Sequence, residues 1–215
     1  IDRSRGLGDV YKRQRRARIA GALRFHEAPR IMGIVNATDD SFYAGSRSMD
    51  NEAVANGLAM WDAGATWVDV GGESTRPGAA PVDIDTEVRR VLPVIQGLRA
   101  ARPDGLISID TRHAEVAKAA LAAGADMVND VSGLRDPAML DAVLASGCAV
   151  CVMHMQGDPG SMQNNPVYAD VVGEVSLALE HVKRQLIERG HPEDLIVLDP
   201  GLSLIHISEP TRPID

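Results

Sequence analysis

The sequence predicts an α/β protein of the (β/α)8 TIM-barrel class, incomplete, with about six of the eight β/α units present. Short β-branched runs alternate with longer Ala/Leu/Val-rich segments along the body of the chain. Glycine follows most of the longer segments, where a left-handed residue ends a helix without the steric cost of a side chain. Polar residues stand where the β-branched runs end. This alternation indicates βαβ units, a parallel sheet and right-handed crossovers.

The β-branched runs are predicted to be strands. They cover residues 31–35, 66–70, 106–109, 126–128, 149–153 and 195–198. The segments between them are long enough for helices with one apolar face, at residues 51–63, 83–102, 113–123, 137–146 and 171–189. Asp136 followed by Pro137 indicates a helix start, because aspartate caps free amide groups and proline fits the first turn.

Alternating units leave two architectures open, a doubly wound sheet and a (β/α)8 barrel. The strand ends favour the barrel, because polar residues follow nearly every strand instead of gathering at one switch point. These residues are Asn36, Asp69, Asp110, Asn129, His154 and Asp199. Two long loops, 38–50 and 71–82, follow strands on the same rim and are expected to close over a substrate. Dinucleotide and P-loop phosphate motifs do not occur in the sequence.

The charge distribution argues against a nucleic-acid partner. The formal net charge is −8, and setting aside the seven basic and two acidic residues of positions 1–18 leaves −13 for the rest. A body this acidic lacks the interleaved basic and aromatic residues of a nucleic-acid surface. The apolar runs are far shorter than the ~18 residues that span a bilayer, and no basic-then-apolar leader is visible. No membrane partner and a cytoplasmic location are therefore expected.

The chain is predicted to have three parts: a non-native or disordered basic head (1–18), a partial barrel domain (19–201) and a non-native tail (202–215). The head shows no apolar periodicity, and a short binding arm is the alternative. Residues 8–14 and the tail resemble translated sequencing adapters, and the first methionine is Met32. A truncated gene model is the expectation from these features.

Cys148 and Cys151 have the spacing of redox and zinc motifs. They lie in an Ala/Val-rich run that is predicted to be a buried strand, where positions three apart point to opposite faces. The sequence has no second cysteine pair to complete a tetrahedral site. Both are expected to be core thiols.

Several segments together resemble the dihydropteroate synthases, the pterin-binding barrel enzymes of folate synthesis. They are IMGIVNATDDSF (31–42), VDVGGESTRPG (68–78), ISIDT (107–111) and MHMQG (153–157), extended by VNDV (128–131) and IVLDPG (196–201). The resemblance implies a transferase that condenses 6-hydroxymethyl-7,8-dihydropterin diphosphate with 4-aminobenzoate, giving dihydropteroate and pyrophosphate with the help of Mg²⁺. It also implies a sulfonamide target and, for a full-length member, a homodimer.

By this resemblance Asp110, Asn129 and Asp199 bind the pterin, whose aminopyrimidinone edge presents donors beside acceptors. Asp110 is expected to stabilise the positive charge that develops on the pterin methylene as pyrophosphate leaves. The alternative for Asp110 is a helix cap at the start of the following helix. Asn36 is expected to contact Mg²⁺, which keeps several waters and takes few protein ligands. Its alternative is to stabilise the loop turn.

The two long loops carry the remaining predicted site residues. By the resemblance, Thr75 and Arg76 reach the diphosphate and the aminobenzoate pocket, where Arg76 supplies fixed positive charge. Asp40 and Ser41 are expected to order the closed state, so that Asp110, Arg76 and Asp40 form the predicted catalytic set. His154 is either a general base or structural. A structural role is favoured, because an arylamine attacking an activated cation needs no strong base.

The sequence departs from the family pattern in two places. Ala37 and Asp39 stand where the family usually has Val and Pro, which makes the first loop less preorganised. After Gly201 the family's Ser-Arg-Lys and Arg-x-His groups do not follow. This chain alone is therefore expected to be inactive, and the unpaired edges of an open six-strand sheet are expected to cause aggregation.

Two other functions are kept as alternatives. One is the pterin-barrel methyltransferase group, which handles methyltetrahydrofolate and lacks the ESTRPG loop. The other is a polypeptide that binds pterin weakly without turnover, or has no function. Calorimetry with a pterin diphosphate, paired with a pyrophosphate-release assay, separates these possibilities.

Overall fold

The computed structural model describes residues 3–24, 29–37, 46–73, 81–157 and 167–202. Its single sheet has six parallel strands that lie side by side in chain order. The strands are β1 (Met32–Asn36), β2 (Trp67–Gly71), β3 (Leu106–Asp110), β4 (Met127–Asp130), β5 (Ala149–Met153) and β6 (Ile196–Asp199). The helices are α1 (Arg3–Leu23), α2 (Ser46–Asp62), α3 (Ile84–Ala101), α4 (Ala114–Ala123), α5 (Pro137–Ser146) and α6 (Val171–Glu188), with a short 3₁₀ turn at Glu193–Leu195.

The six predicted strands and the five helices between them are confirmed, with ends displaced by one or two residues except at the start of α2. Helix α5 has the predicted bounds. Asp136 caps it by accepting a hydrogen bond from the Ala138 amide at 2.9 Å, and Gly147 ends it with a φ of 61°. A doubly wound sheet would reverse its strand order at a switch point, whereas this order is sequential. The barrel order of strands is therefore confirmed.

Successive side chains of each strand point to opposite faces of the sheet, and the sheet buries side chains on both faces. Val68 and Val70 of β2 and Ile107 and Ile109 of β3 belong to the core between the sheet and the helices. The residues between them point to the inner face, as the period of two in a strand requires. This inner face is apolar at its lower end and polar at its upper end, so the sheet aims its polar groups at one rim.

Helix α1 covers the lower end of the inner face. Ile19 and Ala20 are buried there against Trp67 and neighbouring apolar side chains. Arg15 Nε donates to Asp126 Oδ1 at 2.6 Å, which ties the helix to the start of β4. Residues 3–18 lie in the described helix α1, while the division of the chain into head, barrel and tail stays a prediction. The basic run forms a helix because an apolar stretch and a buried carboxylate dock it.

The proposed boundary between residues 18 and 19 falls within α1, and the non-native origin of the head stays a prediction. The tail lies outside the described residues from position 203 onward. None of the described helices is long and apolar enough to cross a membrane.

The two cysteines are free and buried, and they lie in different parts of the core. Cys148 packs on the helix side of the sheet, while Cys151 packs on the inner face. The prediction of core thiols on opposite faces is confirmed. A redox or zinc role would need the two sulfur atoms to share one face, and they do not.

Strands β1 and β6 are the edges of the sheet among the described residues, each with one neighbour. Ile31 and Ile34 are both 61% exposed at the β1 edge. Exposed apolar edge strands are templates for pairing with another chain. The predicted unpaired edges are thus present in the described part of the chain, and aggregation itself stays a prediction.

Candidate functional site

Strand register brings the predicted pterin residues to one rim of the sheet. Asn36 is level with Gly71, Gly71 with Asp110, and Asp110 with Asn129. Asp199 ends β6 and is level with Met153, one inner-face position above this row. Polar groups on β1, β3, β4 and β6 are therefore aligned at the carboxyl ends of parallel strands, the usual location of catalytic groups in barrels.

The environment of one thiol shows that the carboxylates of this rim converge. Burial, followed by the charges of Asp199, Asp69, Asp110 and Asp130, raises the pKa of Cys151 to about 12. The strand register agrees, since Asp110 is in the row of Cys151 and Asp199 lies one inner-face position above it. The structure therefore brings Asp110 and Asp199 into one neighbourhood on the inner face.

Asp110 is the most electrostatically strained of these groups. Burial raises its pKa well above the usual range, and the charges of Asp69, Glu87, Asp130 and Glu73 add to the effect. An ideal Cβ on Gly71 would lie 3.4 Å from Asp110 Oδ2, so the carboxylate leans across the end of β2. A positive charge placed in this pocket would relieve the repulsion.

The helix-cap alternative for Asp110 is not supported. The N-cap residue of α4 is His113, and no side chain makes a capping hydrogen bond there. The turn between β3 and α4 is held instead by Thr111, whose Oγ1 accepts from the His113 amide at 3.1 Å. Asp110 is therefore not needed to begin the helix.

Asn129 is held from below by a residue that was not among the predicted site residues. Its Nδ2 donates to Asp69 Oδ2 at 2.9 Å. The expectation that Asp69 ends its strand is wrong, because β2 continues to Gly71 and Asp69 lies in its middle. The alternation Asp69-x-Gly71 beside Ser108-x-Asp110 was a signal in the sequence, since it places polar residues on the face that carries Asp110.

His154 follows β5 at the same rim. Its Nε2 lies 3.1 Å from the Tyr168 hydroxyl oxygen, and its backbone N–H donates to the Asp199 carbonyl at 2.8 Å. Burial and the nearby Arg135 charge lower the pKa of His154. These contacts favour the structural alternative over a general base.

Asp40, Ser41, Thr75 and Arg76 lie outside the described residues, so their roles stay predictions. The base of the second loop is described, and Glu73 links its two ends. Glu73 accepts from the Val82 amide at 3.1 Å, and its two oxygens accept from Arg112 Nε at 2.9 Å and Nη2 at 3.0 Å. Glu73 and Val82, at the two ends of the loop, are thus tied to each other and, through Arg112, to the turn after β3. Sequence analysis gave Glu73 no role, although the residue lies within the motif.

A possible metal cluster lies beside this anchor. Glu73, Glu87 and His113 place one ligand atom each within 4.8 Å of one another. His113 Nδ1 is 2.7 Å from Glu87 Oε2, but both Glu73 oxygens already bind the Arg112 guanidinium. A cation would have to displace that bidentate pair. The contacts therefore indicate an ion-pair network that fixes the base of the loop.

Loss of the Glu73 anchor is expected to loosen segment 74–80. Burial raises the pKa of Glu73, but the hydrogen bond and charge of Arg112 lower it overall, so the anchor forms above the usual value of 4.5 and is lost only at lower pH. Glu73→Gln should speed subtilisin cleavage within 74–80 by about tenfold at pH 7, because charge-assisted hydrogen bonds contribute ~1.5–3 kcal/mol. Mass spectrometry measures the cleavage rate. Glu115→Gln, on the exposed side of α4, is the control, and equal rates in both variants would contradict the anchor.

Comparison with known proteins identifies the family of this site. The sequence profile described as "Pterin binding enzyme" matches residues 32–211. The chain belongs to the pterin-binding enzyme family. It is 42% identical over 174 residues to the dihydropteroate synthase of Escherichia coli K12, covering 80% of this chain and 61% of that protein. It is 46% identical over 176 residues to the dihydropteroate synthase of Mycobacterium leprae, with shares of 80% and 61%.

Solved structures of the family share the fold. Xanthomonas albilineans dihydropteroate synthase with 4-aminobenzoic acid aligns with a TM-score of 0.74 and 43% identity, over 83% of this chain and 63% of that one. The Burkholderia cenocepacia dihydropteroate synthase complexed with 7,8-dihydropteroate aligns with a TM-score of 0.72 and 40% identity, over 83% and 60%. The fold class is confirmed. The chain spans about 61% of the length of the curated relatives it matches.

Proposed function

We propose that the protein is a dihydropteroate synthase, which joins 6-hydroxymethyl-7,8-dihydropterin diphosphate to 4-aminobenzoate. The supporting observation is that Asp110, Asn129 and Asp199 lie at the carboxyl ends of β3, β4 and β6 of one parallel sheet, in a chain whose relatives carry that name. Two solved relatives hold 4-aminobenzoic acid and 7,8-dihydropteroate. The proposal extends these ligands to the present chain.

The pterin would be recognised by fixed groups of opposite hydrogen-bonding character. Asn129 uses its Nδ2 to donate to Asp69, which leaves its side-chain oxygen as an acceptor for a ring N–H. Asp110 and Asp199 add carboxylate acceptors from strands on either side of β4. Because these groups stand on strand ends and not on mobile loops, their geometry is set before the substrate arrives.

Asp110 would also act on the reacting carbon. The bond between the pterin methylene and the diphosphate oxygen breaks with its electron pair moving to pyrophosphate, while the arylamine nitrogen attacks the methylene and then releases a proton. Positive charge develops on the pterin in this step, beside a buried carboxyl whose pKa is raised by burial and neighbouring carboxylates. The developing cation would stabilise the ionised carboxylate, and the carboxylate would stabilise the cation in turn.

Mg²⁺ fits the chemistry of the rim on the β1 side. Asn36 is exposed at the end of β1 and offers a neutral carbonyl oxygen, which suits an ion that keeps several waters. Asn36 is the residue that would hold it, and when bound the ion would supply charge neutralisation to the diphosphate. Arg76 and Thr75 are proposed to bind the same anionic end of the substrate.

Calorimetry and a pyrophosphate-release assay together test the proposal. We expect the pterin diphosphate to bind, with tighter binding in the presence of Mg²⁺, and at the length that the gene encodes we expect pyrophosphate release only when 4-aminobenzoate is added. Methyltetrahydrofolate binding without pyrophosphate release would favour the methyltransferase alternative. Pterin binding without turnover by residues 1–215 alone is the outcome anticipated from the departures after Gly201. Absence of pterin binding at the length that the gene encodes would overturn the proposal.

The assembly of the protein is part of the same proposal. We propose a homodimer at the length that the gene encodes, as the family resemblance implies. Sedimentation velocity measures this directly.

A further inference from the structure

The inner face carries two buried polar side chains one position below the rim. Asp69 of β2 and Ser108 of β3 are register partners, and the exposed fraction is 3% for Asp69 and 0% for Ser108. Ile34 and Met127 occupy the same row on the strands to either side. Bulky apolar side chains usually fill such layers of a barrel. A carboxylate at this depth is therefore unusual.

Asp69 is costly for the fold. Burial raises its pKa, while the hydrogen bond from the Asn129 amide lowers it only in part. Asp69 Oδ1 and Ser108 Oγ are buried and have no hydrogen-bond partner among the described residues. An unpaired buried polar atom costs ~1–3 kcal/mol, so packing alone would favour an apolar residue here. We therefore expect the Asp69 carboxylate to have a role other than packing.

The contact of Asp69 with Asn129 suggests that use. A carboxylate only accepts hydrogen bonds, so the amide nitrogen of Asn129 has to face Asp69 and the amide oxygen has to point away. Without this partner, either end of the amide could face the rim. Asp69 thus decides which hydrogen-bonding group Asn129 offers beside Asp110.

We propose that Asp69 is a positioning residue for pterin recognition, which fixes the Asn129 amide so that its oxygen accepts a hydrogen bond from a ring N–H donor. This inference rests on the proposed function and assigns a residue that was absent from the predicted site. Asp69 acts through Asn129 and does not need to touch the substrate. Its effect on binding should therefore disappear when Asn129 has no amide to orient.

A double-mutant cycle tests this coupling by calorimetry with the pterin diphosphate. Asp69→Ala should weaken binding by about 10- to 100-fold, by analogy with the loss of a residue that orients a metal ligand. In the Asn129→Ala background the same change should weaken binding by less than about threefold, because the effects of interacting residues do not add. An equal loss in both backgrounds would show that Asp69 acts independently and would overturn the inference.

Matched variants separate positioning from packing. Asp69→Asn has nearly the same volume and keeps one acceptor oxygen, so it should fold and lose less affinity than Asp69→Ala. Ser108→Ala, in the same row but not bonded to Asn129, should bind within about threefold of wild type. A loss for Ser108→Ala as large as that for Asp69→Ala would indicate general disruption of the layer and would overturn the inference.

A readout without ligand distinguishes this inference from the proposed function. The ¹⁵N side-chain amide signal of Asn129 should be protected from solvent exchange in wild type and in Ser108→Ala, and exposed in Asp69→Ala. Loss of protection in both variants, or in neither, would contradict the contact. If the wild-type protein fails to bind the pterin, both proposals are overturned. If it binds but the effects of Asp69→Ala and Asn129→Ala simply add, only the role of Asp69 is overturned.

Discussion

Asp110→Asn is expected to stabilise the fold at neutral pH and, at the length that the gene encodes, to lower turnover by about 10²- to 10³-fold, the range for removing one preorganised electrostatic group. Burial and four neighbouring carboxylates raise the pKa of this carboxyl. An ionised carboxylate that is unfavourable in the unliganded protein can stabilise a positive charge that develops beside it. Asp110→Asn should therefore raise the free energy of unfolding by about 1 kcal/mol even though it lowers turnover.

The pH dependence of that gain has a definite sign. Because the pKa of Asp110 in the folded state lies above its usual value of 3.8, the carboxyl favours folding below that value, and the favourable contribution is lost as pH rises through the folded pKa. Asparagine does not titrate. The stability difference between Asp110→Asn and wild type should accordingly be largest at pH 7 and shrink toward pH 4.

Urea unfolding at the two pH values measures the difference, with Asp104→Asn in an exposed turn as the control for loss of a surface charge. A gain of the same size at pH 4 and pH 7 would show that it comes from packing and not from ionisation. Turnover within tenfold of wild type would remove Asp110 from the catalytic set. The pyrophosphate-release assay decides that second point.

The alternation of strands and helices could be predicted because each element carries its own signal. The β-branched runs and the Asp136-Pro137 start are local features, and the structure reproduces them. Placement of Asp110, Asn129 and Asp199 at one rim followed from parallel topology, since strand ends of one polarity meet at one edge. Their chemical roles came from family resemblance.

The missed features depend on contacts between distant parts of the chain. Asp69 was treated as a strand end, because the sequence does not show how far β2 continues or which residue it faces across the sheet. The bond between Glu73 and Arg112 joins positions 39 residues apart. Helix α1 lacks an apolar stripe that would reveal it, and its docking depends on Asp126 far along the chain. These features depend on strand register and on contacts between distant residues, and not on the local secondary-structure propensity of the sequence.

Arg99→Ala is expected to lower the free energy of unfolding by about 3 kcal/mol, the lower end of the range for breaking a buried ion pair from one side. Arg99 Nη2 donates to Asp126 Oδ2 at 2.5 Å, and the Asp126 side chain is fully buried. The same guanidinium donates to the carbonyls of Pro103, Gly105 and Gly124. Its loss leaves those carbonyls and one carboxylate oxygen with fewer donors at the lower end of β3 and β4.

Arg102→Ala, one turn further along the chain, is the matched control. Arg102 pairs with Asp62, whose side chain is 67% exposed, and it lies over the Trp61 ring at 5.4 Å. Exposed pairs of this kind contribute ~0–1 kcal/mol, so the control should lose at most about 1 kcal/mol in urea unfolding. Equal losses in the two variants would contradict a special role for the buried network.

The double variant Arg99→Ala/Asp126→Ala sharpens the comparison. Arg99→Ala leaves the buried Asp126 carboxylate with fewer donors, although Arg15 Nε and the Ile107 amide still donate to it. Removing both Arg99 and Asp126 should therefore cost less than the sum of the single changes. Asp126 Oδ2 also accepts from the Ile107 amide at 3.0 Å, so the network links α3 to the two strands whose upper ends carry Asp110 and Asn129. If the two single losses of unfolding free energy simply add, Arg99 and Asp126 stabilise the protein independently, and the network does not couple α3 to β3 and β4.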